Sequence, residues 1–81
     1  MPQGEAIFAF RNTRDVIMAE RTLLDSGVEV RVMPTPRIIG PACGMVLRIN
    51  SDDVEKVITM LGESVSGIYR REGERIVPWQ N

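Results

Sequence analysis

"VEVRVMPTPRIIGPACGMVLRI", residues 28–49, decides how this chain folds. Val28-Glu29-Val30-Arg31-Val32 alternates apolar and polar residues, the pattern of a strand with one face on a core and the other in water. Met45-Val46-Leu47-Arg48-Ile49 reads as a further strand. Pro34 and Pro36 end the first of these, and the prolines and glycines up to Gly44 leave no room for a regular helix or strand between them. The pair is therefore read as two antiparallel neighbours in the middle of the chain, joined by an unusually long loop.

Each of these strands has a strand and a helix beside it in sequence. Upstream, Glu5-Ala6-Ile7-Phe8-Ala9-Phe10 is an apolar run with aromatic and β-branched members, long enough for a strand and too short for a helix. Asn12 or Thr13 can cap a helix from about Arg14 to Ser26, with Asp15 at its positive end. Val16, Ala19 and Leu23 with Ile17 and Leu24 form its apolar stripe, Glu20, Arg21 and Asp25 face water, and Gly27 stops it. Downstream, Ser51 caps a second helix that starts with Asp52 and Asp53, and Val54, Val57, Ile58 and Leu61 fall on one face before Gly62 closes it. Val65 to Arg70 reads as a fourth, weaker strand, interrupted by Gly67. Residues 71–81 are too polar for a core, although Ile76, Val77 and Trp79 can dock on it as an edge or tail.

The order βαββαβ, with strand, capped helix, glycine and strand occurring twice, predicts an α+β fold of the ferredoxin-like kind: a four-stranded antiparallel sheet with both helices on one face. A length of 81 residues supports one domain and no second core, with the core in about 5–70 and residues 71–81 as a C-terminal tail. Met33, Met45 and Met60 are read as adaptable fillers of that core.

Composition narrows the function. Formal net charge is −1, with acidic and basic residues scattered, so there is no basic stripe for nucleic acid. No segment approaches the roughly 20 apolar residues of a membrane helix, and residues 1–5 lack a secretory pattern, so a cytoplasmic protein is expected. One cysteine and no histidine exclude finger-type and histidine-based zinc sites, and also Ser-His-Asp or Cys-His catalysis within the chain. No cofactor is expected, and Asp52-Asp53 is better explained by helix capping than as a paired-carboxylate site. RNA binding through the sheet is disfavoured, because the Met45–Ile49 strand has no aromatic residue on which a base can stack.

The loop remains. Hairpins usually need about two to five residues, and the segment 34–44 is far longer. Extra length alone is cheap, at about 0.6 kcal/mol per doubling, but Pro34, Pro36 and Pro41 each fix a backbone φ angle, which makes the loop stiff. A stiff loop holds a group in place, and the group it contains is Cys43. Beside Gly44 a thiol has an unhindered neighbour, and nearby amides or Arg37 can stabilise a thiolate. The competing reading is a small buried residue, since unpaired cysteine is among the most buried residue types. Thr35 and Arg37 can bind an anion or can simply be solvated.

The segments Pro34-Thr35-Pro36-Arg37 and Ala42-Cys43-Gly44, set between an apolar strand with its capped helix and a second strand with its amphipathic helix, resemble the selenium/sulfur carrier-like proteins. The likeness covers roughly Ile7 to Tyr69. It implies a ferredoxin-like domain in which Cys43 holds sulfur or selenium as a persulfide or selenopersulfide. A donor enzyme, such as a cysteine desulfurase or a selenium-delivery protein, would load it, and an acceptor protein would take the atom. Gly40-Pro41-Ala42 departs from the small polar residues frequent before that cysteine, and Pro41 stiffens the approach.

Carrier chemistry needs only a nucleophilic, accessible thiol, because exchange at a donor persulfide follows thiol-disulfide rules. The lack of a second cysteine argues against an intramolecular thioredoxin-like cycle, and partners would supply the rest of the site. The alternative is a non-catalytic regulatory or protein-interaction module that uses the sheet for a ligand or a homodimer, which the fold alone also allows.

Overall fold

The computed structural model describes residues 4–39 and 44–79. Five strands form one antiparallel sheet: β1 (Glu5–Phe10), β2 (Val30–Pro34), β3 (Met45–Asn50), β4 (Val65–Glu72) and β5 (Arg75–Pro78). Helix α1 (Thr13–Asp25) joins β1 to β2, and α2 (Val54–Leu61) lies between β3 and β4. The strand order is β2-β3-β1-β4-β5. The expected four-stranded ferredoxin-like sheet is thus corrected to a five-stranded α+β sheet with two helices.

The extra strand comes from the stretch judged too polar for a core. Gly73 has a φ of +63°, and it is the only member of the turn with a positive φ. A positive φ at the first central residue alone is the hairpin pattern that twists the chain back along its own strand. β5 then pairs with β4, Ile76 opposite Arg71 and Val77 opposite Arg70. Trp79 donates its backbone N–H to the Ile68 carbonyl at 2.9 Å, fixing the chain beyond the strand.

The Asn12 side chain caps α1, accepting from the Asp15 N–H at 2.8 Å. At the other end the Val28 N–H reaches the Leu23 carbonyl at 2.9 Å, the Gly27 N–H reaches that of Leu24 at 3.1 Å, and Gly27 has a φ of +81°. This left-handed glycine closure uses up the Val28 amide, which is why β2 starts at Val30 and not at Val28. β2 also runs through Pro34, opposite Met45, where a stop was expected. An edge strand tolerates proline wherever the missing N–H would have pointed away from the sheet.

The second helix enters differently from expectation. Residues Ser51–Asp53 form a 3-10 turn, and no side chain caps α2. The Ser51 N–H instead donates to the Gly4 carbonyl at 2.9 Å.

Both helices lie on the same face of the sheet. Ala6, Phe8 and Phe10 of β1 and Leu47 and Ile49 of β3 share one buried cluster with Val16, Ala19 and Leu23 of α1 and with Val54 and Val57 of α2. Met45 and Met60 pack against it as fillers, whereas Met33 lies on the other face. Three residues assigned to the apolar stripes are largely outside: Ile17 and Leu24 are each 54% exposed and Ile58 is 38% exposed. The sheet needs only a narrow strip of each helix, and these residues flank it.

Gly67 has a packing reason within β4. A Cβ there would meet the Tyr69 ring at 3.1–3.2 Å, so the glycine is the floor on which that ring rests. No helix is long and apolar enough to cross a membrane among the described residues.

Candidate functional site

The loop between β2 and β3 has a closed base. Thr35 donates its backbone N–H to the Gly44 carbonyl at 3.2 Å, immediately beyond the Pro34–Met45 pair that ends the ladder. The sheet register therefore continues one pair further, to Thr35 and Gly44. Gly44 itself is exposed, and among the described residues beyond its chain neighbours nothing lies within 4 Å of where its Cβ would be.

The near side of the loop is equally ordered. The Ile39 N–H donates to the Pro36 carbonyl at 3.1 Å, which forms a 3-10 turn over Arg37–Ile39. Its two isoleucines part company. Ile39 packs on Ile7, Ala9 and Val46 on the sheet face away from the helices, and Ile38 is 71% exposed. One apolar side chain pins the loop, and its neighbour points into solvent.

That opposite face is more closed than an unadorned sheet would be. Ile7 and Val46 are each only 1% exposed and Ala9 is 7% exposed, beneath a cover of Met33, Ile39, Tyr69 and Ile76. Towards the far end of the same face it becomes charged. Glu5 sits between two cations, 3.3 Å from Arg48 and 3.9 Å from Arg71, each pair about half to two-thirds buried. Such partly exposed pairs contribute about 0–1 kcal/mol each, so they orient side chains more than they stabilise the fold.

Of the residues expected to form the site, Thr35 and Gly44 are brought together by the hydrogen bond at the loop base. Arg37 lies on the same loop, in the 3-10 turn, with its side chain exposed to solvent. Cys43 lies outside the described residues. Among the described residues no three acidic, cysteine or histidine side chains cluster in a way that could hold a metal ion.

Sequence reading missed Ile39 and Tyr69, which close the far face around the loop together with Ile76, a residue expected to dock as an edge or tail. A signal existed for the first: Ile38-Ile39 is a doublet of large apolar residues in a loop otherwise made of proline, glycine, and small or polar residues, and such a doublet needs a surface to cover. A second concavity, of about 390 Å³, lies between the end of α2 and β4 and is lined by Ile58, Val65, Ile68 and Trp79. Neither Thr35, Arg37 nor Gly44 lines it.

No curated protein and no solved structure matches the chain significantly. A family model does, and its span reaches from the first residue of β1 into β4, with both helices and the whole β2–β3 loop inside it. Through that match over residues 5–70, the chain belongs to the family described as putative Se/S carrier protein-like.

Proposed function

We propose that this protein carries sulfur or selenium on Cys43 between a donor enzyme and an acceptor protein. Family membership is the observation that supports this most strongly. The loop base supports it physically: a sheet register locked up to Gly44, with no described residue crowding that glycine, suits a thiol that must be approached by two different proteins in turn.

The chemistry balances without an added oxidant or reductant. The Cys43 thiolate attacks the terminal sulfur of a donor persulfide. The donor's sulfur–sulfur bond breaks as a new one forms on Cys43, and the donor thiolate leaves with the electron pair. An acceptor nucleophile then takes the terminal atom and regenerates the Cys43 thiolate. A selenopersulfide follows the same scheme. Arg37, exposed on the same loop, favours the thiolate and guides an anionic partner surface; Thr35 and Gly44 hold the frame. Such a thiol suits a reducing compartment, and the cytoplasm is the location this reading implies.

The test is to incubate the protein with a cysteine desulfurase and free cysteine, then measure intact mass. One added sulfur, removed by reductant and absent from Cys43→Ser, is the expected result. No adduct with either a desulfurase or a small-molecule persulfide would overturn the proposal.

A further inference from the structure

We infer that a second copy of this chain docks on the open edge of β2 and the adjoining flank of α1, giving a two-fold dimer with one continuous sheet. β2 ends the strand order, so among the described residues one of its sides has no neighbour in the sheet. The Thr35 N–H points inward, to the Gly44 carbonyl. Alternation along the strand then turns the backbone groups of Val30, Val32 and Pro34 outward. Pro34, with no N–H to offer, occupies one of these outward positions at the end of the strand, so in the dimer each Val30 carbonyl gains no donor from the partner's Pro34 and the shared ladder is short.

The helix above the edge presents an apolar flank. Asp15, Met18 and Thr22 of α1 line a cleft with Met60, Leu61 and Ser64, so that side of α1 faces α2. Ile17 and Leu24 lie on the other side of the buried strip of Val16, Ala19 and Leu23, towards β2. Val32, on the helix side of the edge strand, is 40% exposed beneath them. Three apolar residues therefore share one surface, which neither α2 nor the sheet covers.

The pattern on this surface fits itself. A two-fold interface requires that where residue i meets residue j of the partner, j also meets i. Ile17 and Leu24 are two helical turns apart, with Glu20 and Arg21 midway between. Turned antiparallel about that midpoint, Ile17 meets the partner's Leu24 and Glu20 meets the partner's Arg21, each twice. The same axis serves the strand. Phe8, Leu47 and Val32 share one row across the sheet, and α1 runs back from the end of β1 to the start of β2, so its middle lies level with Val32. Val32 then exchanges both its backbone bonds with the partner's Val32, and the Val30 N–H donates to the partner's Pro34 carbonyl. Arg31 falls opposite the partner's Met33, which avoids a like-charge pair.

A five-residue strand and one flank of a 13-residue helix measure about 17 and 20 Å along their axes. Such a patch sits at the small end of interfaces that hold proteins together, which gives a reversible dimer with a micromolar dissociation constant. The inference does not depend on the carrier chemistry of Cys43, and either can fail alone.

Sedimentation equilibrium of the full chain, in reductant to exclude a Cys43 disulfide, tests it over micromolar to near-millimolar concentration. A monomer–dimer equilibrium is expected. Glu20→Arg sets four arginines against one another and weakens the dimer about tenfold or more, and adding Arg21→Glu restores it. Ile17→Lys with Leu24→Lys gives a monomer with an unchanged circular dichroism spectrum, since both side chains are already exposed. A wild-type chain that stays monomeric throughout overturns the inference, as does a dimer that survives the two lysines.

Discussion

The two faces of the sheet are closed by different means. On one, two helices cover Ala6, Phe8, Phe10, Leu47 and Ile49 with a cluster that extends from α1 to α2. On the other, the buried cluster among the described residues is Ile7, Ala9 and Val46, and its cover is assembled from a loop residue, Ile39, an edge methionine, Met33, and two residues of the C-terminal hairpin, Tyr69 and Ile76. The first face is built from regular elements that bury apolar surface in bulk. The second uses single side chains, each of which does two things: it covers the sheet and it positions a segment that leads elsewhere. Stability therefore lies mainly on the helix side, and the loop between β2 and β3 is held from the other.

That division can be broken by pairing substitutions across the sheet. Phe8→Ala, on the helix face, is expected to cost about 3–5 kcal/mol in urea unfolding, because the helices cannot fully collapse into the space. Ile7→Ala, one residue along and on the opposite face, should cost less, about 2 kcal/mol, since its thinner cover can settle into the gap. Equal losses would mean that the two faces are one core and that the contrast is false.

A finer pair sharpens the contrast within the loop. Ile39→Ala removes the side chain that pins the loop and should cost about 1 kcal/mol, with faster amide exchange at Ile39, whose N–H is bonded to the Pro36 carbonyl. Ile38→Ser, at a side chain that is mostly in solvent, should stay within about 0.5 kcal/mol of the parent. If the two changes were indistinguishable, Ile39 would not be the anchor.

Much of the helix face was legible in the sequence, and for a physical reason. Phe8, Val16, Leu23, Leu47 and Val57 are buried by regular elements, and regular elements write their period into the chain. The cap of α1 was equally legible, since an asparagine three residues before Asp15 and a glycine after the last turn carry local chemistry. The far face was not, because its cover comes from residues distant in sequence. Ile39, Tyr69 and Ile76 meet over Ile7 and Val46 only once the chain has folded, and no period links them. β5 was hidden in a charged stretch, because an edge strand paired on one side needs only alternate apolar residues and a glycine turn. The start of β2 was misplaced for a related reason: Val28 has a strand-like neighbourhood, but its amide closes α1. Of the candidate site, Thr35 and Gly44 do meet, while Arg37 shares their loop without sharing their hydrogen bond.

The carrier account depends on a thiol that the loop presents and does not bury. The most direct measurement is the rate of Cys43 alkylation in the native protein near neutral pH, set against the same chain unfolded in urea. The account predicts a native rate equal to or faster than the unfolded one, with the profile against pH shifted towards lower pH by stabilisation of the thiolate. A native rate slower by two orders of magnitude or so, recovered only on unfolding, would mean that Cys43 is a buried apolar residue, and would contradict it.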